Sequence, residues 1–199
     1  MGARMVRSDV TILIAAAGGS TRMRGGDKLL EQVGGIPLLR RQGLAARASG
    51  ARVVVTLPPD RPARAEVLEG LGAEVAVLAD AAEGMAASLR HGARVAGGAL
   101  MVLPADMPEI DMADLRSMLA AHKAAPDAIL RGASDGAPGH PVLFPADLRA
   151  DLAQLTGDEG ARSVLARHRG RVQLVPLPGR HALTDLDTPE DWAAWRAAR

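Results

Sequence analysis

The sequence predicts one α/β domain of three layers, a mostly parallel mixed sheet with helices on both faces. Three observations carry that prediction. Short apolar runs alternate with alanine-rich amphipathic segments through most of the chain. The runs are continuously apolar, the pattern of strands covered on both sides. And 199 residues, with no internal repeat and no linker, suit a single domain.

Taken in order, Ile12 to Ile14, Val53 to Val55, Val75 to Leu78 and Leu100 to Leu103 read as strands. Between and after them, Leu38–Ala48, Pro62–Glu69, Met85–Val95, Asp111–Ala124 and Pro189–Ala198 read as helices. Asp111 and Thr188 suit N-caps, and Pro189 then takes the first helical position, where its missing N–H is no loss. Repeated βα units of this length imply parallel strands joined by crossover helices. Beyond Ala128 the rhythm loosens. Ala128 to Arg131 and Pro141 to Phe144 read as strands joined by a turn at Ser134–Gly139, and Val172 to Val175 as a last strand. Residues 1–9 are expected to form a flexible tail and residues 10–199 the domain.

Composition excludes several classes of function. A net charge of +1 and only three aromatic residues (Phe144, Trp192 and Trp195) provide neither the basic footprint nor the stacking platform of a nucleic-acid binder. With no cysteine there is no disulfide, thiolate metal site or cysteine nucleophile. No apolar stretch reaches the roughly 18 residues of a membrane span, and the first nine residues lack the apolar core of a signal peptide. The expectation is a cytoplasmic protein with no membrane or nucleic-acid partner.

In open α/β sheets, ligands bind beyond the carboxyl ends of the strands, so the loops there are the places to look. The first, Ala15 to Met23 (AAAGGSTRM), matches neither the P-loop nor the dinucleotide fingerprint. It nevertheless has their physics: glycines that let a ligand approach, backbone N–H groups for an anion, Arg22 as a planar fork and Lys28 as a compact positive charge. Phosphate binding is the expected role. Asp106, in Leu103 to Pro108 (LPADMP), stands just past a buried strand, where a carboxylate can hold Mg²⁺. In Asp185 to Asp191 (DLDTPED), the helix start accounts for Glu190 and Asp191. Asp185 and Asp187 precede it and alternate in direction, so one of them, Asp187 by preference, is expected to face Asp106. Gly84, Ser88 and Gly92 fall on one helical face with little bulk, open either to a ligand or to close sheet packing. His140 lies between a glycine turn and a strand, and Arg162 at a helix start that Asp158 would cap. His140 is either a structural turn residue or a contact on the substrate side, and Arg162 meets either an anionic substrate or solvent. Trp192 and Trp195 are expected to cover the core.

Together these segments resemble the MobA-like nucleotidyltransferases, in particular the molybdenum cofactor cytidylyltransferases. The resemblance runs from about Thr11 to Trp192. It rests on Ala16-Ala-Gly-Gly-Ser-Thr-Arg-Met23, Asp27-Lys-Leu-Leu30, Gly84-Met-Ala-Ala-Ser-Leu89, Asp106-Met-Pro108, Gly139-His-Pro-Val-Leu-Phe144, Gly157-Asp-Glu-Gly-Ala-Arg162 and Asp185 to Asp191. It implies a Rossmann-like nucleotidyltransferase fold and transfer of CMP from CTP to the terminal phosphate of molybdopterin, with loss of pyrophosphate. It further implies that Ala16, Ala17, Gly18, Gly19, Ser20, Arg22, Lys28, Gly84 and Ser88 bind the nucleotide. By the same resemblance Asp106 would hold Mg²⁺, with Arg22, Lys28 and Asp106 the catalytic set and His140 on the acceptor side; Asp187 as a second metal ligand and Arg162 as an acceptor contact are expectations from the residues themselves. Ala17, where guanylyltransferase relatives tend to carry glycine, favours CTP over GTP. One departure from the family pattern is Arg24, which lengthens the loop by about one residue before Gly25-Gly26. Other readings are GTP with the same acceptor, another phosphate acceptor, or a non-catalytic carrier that passes cofactor to a client molybdoenzyme.

Overall fold

β1 (Val10–Ala15) is the apolar run that opens the chain, and it lies at the heart of a seven-stranded sheet. The computed structural model describes residues 9–157 and 160–199. After β1 come the short hairpin strands β2 (Gln32–Val33) and β3 (Ile36–Pro37), then β4 (Arg52–Leu57), β5 (Glu74–Val77), β6 (Ala99–Pro104), β7 (Ile129–Ser134), β8 (Ala137–Phe144) and β9 (Val172–Pro176). The helices are α1 (Leu38–Ala48), α2 (Pro62–Glu66), α3 (Met85–Val95), α4 (Met112–Ala124), α5 (Arg149–Ala153), α6 (Arg162–Arg167) and α7 (Pro189–Ala197). The sheet order is β5-β4-β1-β6-β8-β7-β9, with β8 antiparallel to its two neighbours and the other six strands parallel to one another.

Strand alternation divides the core into two layers. Ile12 and Ile14 of β1 and Met101 and Leu103 of β6 pack with Leu39 of α1, Met118 of α4 and Trp192 of α7. Leu13 and Leu100 face the other way, onto Leu89 of α3, Leu152 of α5 and Val164 of α6. Each such side chain contributes roughly 1.5–3 kcal/mol on leaving water. Gly92 of α3 shows how closely the second layer is packed: a Cβ there would stand 2.7 Å from Leu13 Cδ2 and 3.3 Å from Leu100 Cδ1.

This topology also positions the site. From β1 the chain crosses to β4 and β5 on one side, then returns through α3 to β6 on the other. The carboxyl ends of β1 and β6, where Ala15 pairs with Pro104, therefore flank the switch point at which a crevice opens.

Several expectations shift in detail. The helix expected over Pro62–Glu69 ends at Glu66, and the chain continues in tighter turns with bonds such as Leu68 N–H to Ala65 O before Gly70 and Gly72, both at positive φ. The run at Val75 to Leu78 is an edge strand rather than one covered on both sides: it pairs only with β4, leaving Val75 and Val77 exposed. The turn expected across Ser134–Gly139 is only Asp135-Gly136, both at positive φ as a primed hairpin turn demands, so β7 and β8 are longer than the apolar runs suggested. α5 and the β2–β3 hairpin carried too short a pattern to be foreseen. α6 begins at Arg162 with no side-chain cap, and the proposed cap Asp158 lies outside the described residues, as does most of the expected tail. Asp111 and Thr188 do cap α4 and α7, each in a reciprocal box with Asp114 and Asp191. Trp192 is buried, and Trp195 meets it edge-on at 5.8 Å between ring centroids. No helix among the described residues is long and apolar enough to cross a membrane.

Gly92→Val is expected to overpack the second layer and lower the urea midpoint of unfolding, a loss of about 1–3 kcal/mol, with Gly97→Val, where a Cβ meets nothing within 4 Å, as the neutral control.

Candidate active site

The loop that leaves β1 is shaped from beneath by an arginine. Arg64 of α2 is fully buried and makes five hydrogen bonds. Nη1 donates to the carbonyls of Ala16 (2.6 Å) and Gly18 (2.7 Å), Nη2 to Ser20 Oγ (2.9 Å) and Asp27 Oδ1 (2.9 Å), and Nε to Asp27 Oδ2 (2.7 Å). Asp27 also accepts from the Leu29 N–H and the Ser20 hydroxyl. Burial works to raise the Asp27 pKa, but the Arg64 hydrogen bonds and charge, together with Leu29 and Ser20, outweigh it and hold the carboxyl below its ordinary value. Arg61 adds a bond of 2.8 Å to the Gly19 carbonyl. These contacts occupy the carbonyls on one side of the loop and fix Ser20 in the left-handed region, at φ 53°. Sequence reasoning missed Arg64. The available signal was the helix expected over Pro62–Glu69, in which Arg64 stands four residues before the apolar Leu68 and would share its inward face.

Lys28 is the centre of the second cluster. Its Nζ lies 2.6 Å from Asp106 Oδ2 and 2.6 Å from Asp187 Oδ1, with all three side chains largely shielded. Asp187 Oδ2 in turn meets Arg22 at 2.7 Å, and Arg22 is mostly exposed. Burial works to lower the Lys28 pKa, yet the two carboxylates prevail and raise it. Residues 159 positions apart meet here because the Leu186 N–H donates to the Asp106 carbonyl at 3.2 Å, setting the segment before α7 beside the loop after β6. Asp187 faces Asp106, while Asp185, two residues earlier, is exposed and lines a separate cavity near His140. Arg24, the extra loop residue, pairs with Glu190 of α7 at 2.6 Å.

Two cavities meet at this cluster, and a third adjoins them. One of about 180 Å³ is walled by Ala16, Ala17, Gly18, Lys28, Gly84, Ser88 and Asp106, among others. Gly19, Ser20 and Arg22 lie outside its lining, and Ser20 is committed to Arg64 and Asp27. Gly84 precedes α3 rather than belonging to it, with φ 71° and ψ −143°, a conformation suited to glycine alone. The Ser88 hydroxyl is buried and accepts from Thr56 at 2.9 Å, while Gly92 packs on the sheet, so the small face divides between cavity and core. A second cavity of about 370 Å³ shares Asp106 and holds His140, Arg131 and Asp185. A third, of about 400 Å³, holds His140, Arg131 and Arg162. Burial, aided by the Arg131 charge, lowers the His140 pKa against the pull of Asp106 and Asp185, which keeps the imidazole neutral at pH 7.

The MobA-like NTP transferase domain matches residues 12–172. The chain belongs to that family. Among MobA-like relatives, phosphoenolpyruvate guanylyltransferase of Rubrobacter xylanophilus is 33% identical over 166 residues, 81% of this chain and 78% of its own. The purine catabolism protein PucB of Bacillus subtilis is 28% identical across 97% of this chain and 99% of its own. Rv0371c of Mycobacterium tuberculosis superposes with a TM-score of 0.82 at 28% identity, over 96% of this chain and 98% of that one. The same protein solved in complex with manganese gives a TM-score of 0.75 at 24% identity, over 96% of this chain and 99% of that one. Family and fold together make this a nucleotidyltransferase.

Arg64→Met strands the Asp27 carboxylate in a shielded site and is expected to cost about 3–5 kcal/mol in urea unfolding. The pH dependence has a definite sign. The folded pKa of Asp27 is depressed, so its stabilisation is complete above the ordinary carboxyl value of 3.8 and is lost as pH falls below it. Asp27→Asn is therefore expected to flatten the acid limb of stability below about pH 4, read from urea midpoints against pH.

Proposed function

We propose that the protein transfers CMP from CTP to the terminal phosphate of the molybdenum cofactor and releases pyrophosphate. The observation that carries the reading is the Lys28 ammonium held between Asp106 and Asp187 at the mouth of the glycine-loop cavity. Two acids and two bases neutralise one another there, so a triphosphate arriving with a divalent cation finds partners for both charges. Lys28 and Arg22 turn to phosphate oxygens, and the loop, with its carbonyls tied down by Arg64, keeps its N–H groups for the same purpose. Asp106 and Asp187 fit a hard divalent cation, since Mg²⁺ takes one or two carboxylates and fills its remaining positions with water and phosphate. Bound there, Mg²⁺ would supply neutralisation of the triphosphate and polarisation of the phosphoryl group under attack.

An oxygen of the acceptor phosphate attacks the α-phosphorus, forming the new phosphoanhydride as the bond to the β-phosphate oxygen breaks and pyrophosphate leaves. The attacking oxygen is already ionised at neutral pH, so the reaction needs position and charge neutralisation more than a base. A neutral, shielded His140 is consistent with that. CTP is favoured by the methyl of Ala17 on the wall of the small cavity. A specific finding supports a second reading, GTP with a small phosphorylated acid: the relative named as a phosphoenolpyruvate guanylyltransferase. A client molybdoenzyme belongs to the first reading alone.

Pyrophosphate release with Mg²⁺ is the test, offering CTP or GTP against purified molybdopterin cofactor or phosphoenolpyruvate. Release with CTP and the pterin is expected; release only with GTP and phosphoenolpyruvate selects the second reading, and silence in all four combinations defeats both. Asp106→Asn is expected to lower kcat by about 100-fold or more while nucleotide affinity without metal stays within a few-fold of wild type.

A further inference from the structure

Some sheltered arginines of this fold have carboxylate partners, Arg64 with Asp27 and Arg90 with Asp80 and Glu83. Arg131 has none among the described residues, and unlike Arg41, which also lacks one, it lines the cavities beside Asp106. It is half-buried on β7, its Nε donates to the Gly139 carbonyl at a long 3.3 Å, and its two Nη atoms bond no protein group among the described residues. Burial alone draws its pKa below the ordinary arginine value, with no acid set against it. A shielded guanidinium without a counter-ion is costly to keep.

Its position gives that cost a use. Strand alternation puts Arg131 on the same side as Ile129, toward α3 and α6, where it lines both the 370 Å³ cavity that contains Asp106 and the 400 Å³ cavity beyond it. The outer cavity has a floor of Leu89, Val102, Val142 and Phe144, and its only charged lining groups among the described residues are Arg131 and Arg162. The His140 Nδ1 is also buried there, with no hydrogen-bond partner among the described residues. A molecule with its phosphate at Asp106 and Lys28 would extend past Arg131 into this cationic, apolar-floored space.

We infer that Arg131 is an acceptor-binding residue whose two Nη donors take a second anionic group, a carboxylate or another oxyanion, carried by the acceptor in addition to its attacking phosphate. The inference rests on the nucleotidyltransferase reading only for the side from which the acceptor comes. It also deepens that reading: a simple alkyl phosphate with no second anionic group would leave the guanidinium unpaired and bind poorly.

Calorimetric titration of the nucleotide-free protein tests it, with phosphoenolpyruvate, purified molybdopterin cofactor and ethyl phosphate as the probes. Wild type is expected to bind phosphoenolpyruvate or the pterin at least tenfold more tightly than ethyl phosphate, and whichever binds identifies the source of the second anion. Arg131→Met should bring that affinity down to the ethyl phosphate level, and Arg131→Lys should restore part of it. Affinity for CTP and GTP should stay unchanged in both variants, which also reports that they fold. Equal affinity for all three probes in wild type, absence of binding by any, or an Arg131→Met variant that binds as wild type does, would overturn the assignment. Nucleotide binding is measured separately, so its loss in wild type would count against the proposed function and not against Arg131.

Discussion

The ion pair between Arg64 and Asp27 is the constraint from which the site follows. Without it the glycine loop would have several accessible shapes, because Gly18 and Gly19 impose none of their own. One planar guanidinium, taken wholly out of water, gathers the carbonyls of Ala16 and Gly18, the Ser20 hydroxyl and both oxygens of Asp27. Five donors in a fixed plane specify one arrangement of acceptors, which a lysine's point charge would not. Lys28 follows Asp27 directly, so fixing the carboxylate also aims the ammonium at Asp106 and Asp187. The bonds that order the loop are thus made beneath it, leaving its other side for a ligand.

The cluster above is ordered on a different principle. Around Lys28 the charges cancel, and each partner is one that an incoming anion or cation can replace. A polar site with mutually satisfied members holds its geometry before a ligand arrives, whereas unpaired charges at the same depth would draw in water or shift their protonation. Arg131 departs from that economy, since no carboxylate among the described residues pairs with it.

Much of this was legible in the chain. Apolar runs of strand length and alanine-rich helical segments give the three layers, and the caps at Asp111 and Thr188 are where local chemistry puts them. Lys28, Asp106 and Asp187 converge because strand ends and a helix start, all visible as patterns, bring them to one end of the sheet. What stayed hidden depended on contacts between distant segments. Arg64 reads as an ordinary cation in Pro62-Ala-Arg-Ala-Glu66 until α2 is seen under the loop. Arg131 reads as the polar end of a strand until β8 runs antiparallel beside it. Ser20 and Gly84 were read by motif, and their dihedral angles and bonding give one a scaffolding position and the other a turn before its helix. The edge character of β5 was equally invisible, since pairing and not composition decides which strand ends a sheet.

The bond from the Leu186 N–H to the Asp106 carbonyl alters what counts as the working unit of this protein. The family match closes at residue 172, the first residue of β9. Beyond it lie Asp187, one of the two carboxylates on Lys28, and Trp192, among the largest side chains of the core. A module excised at the end of the matched domain would keep the glycine loop and lose one of the two carboxylates that hold Lys28. The matched domain is therefore not the whole of the cluster: the final 27 residues, which carry the Asp185 to Asp191 segment, complete it.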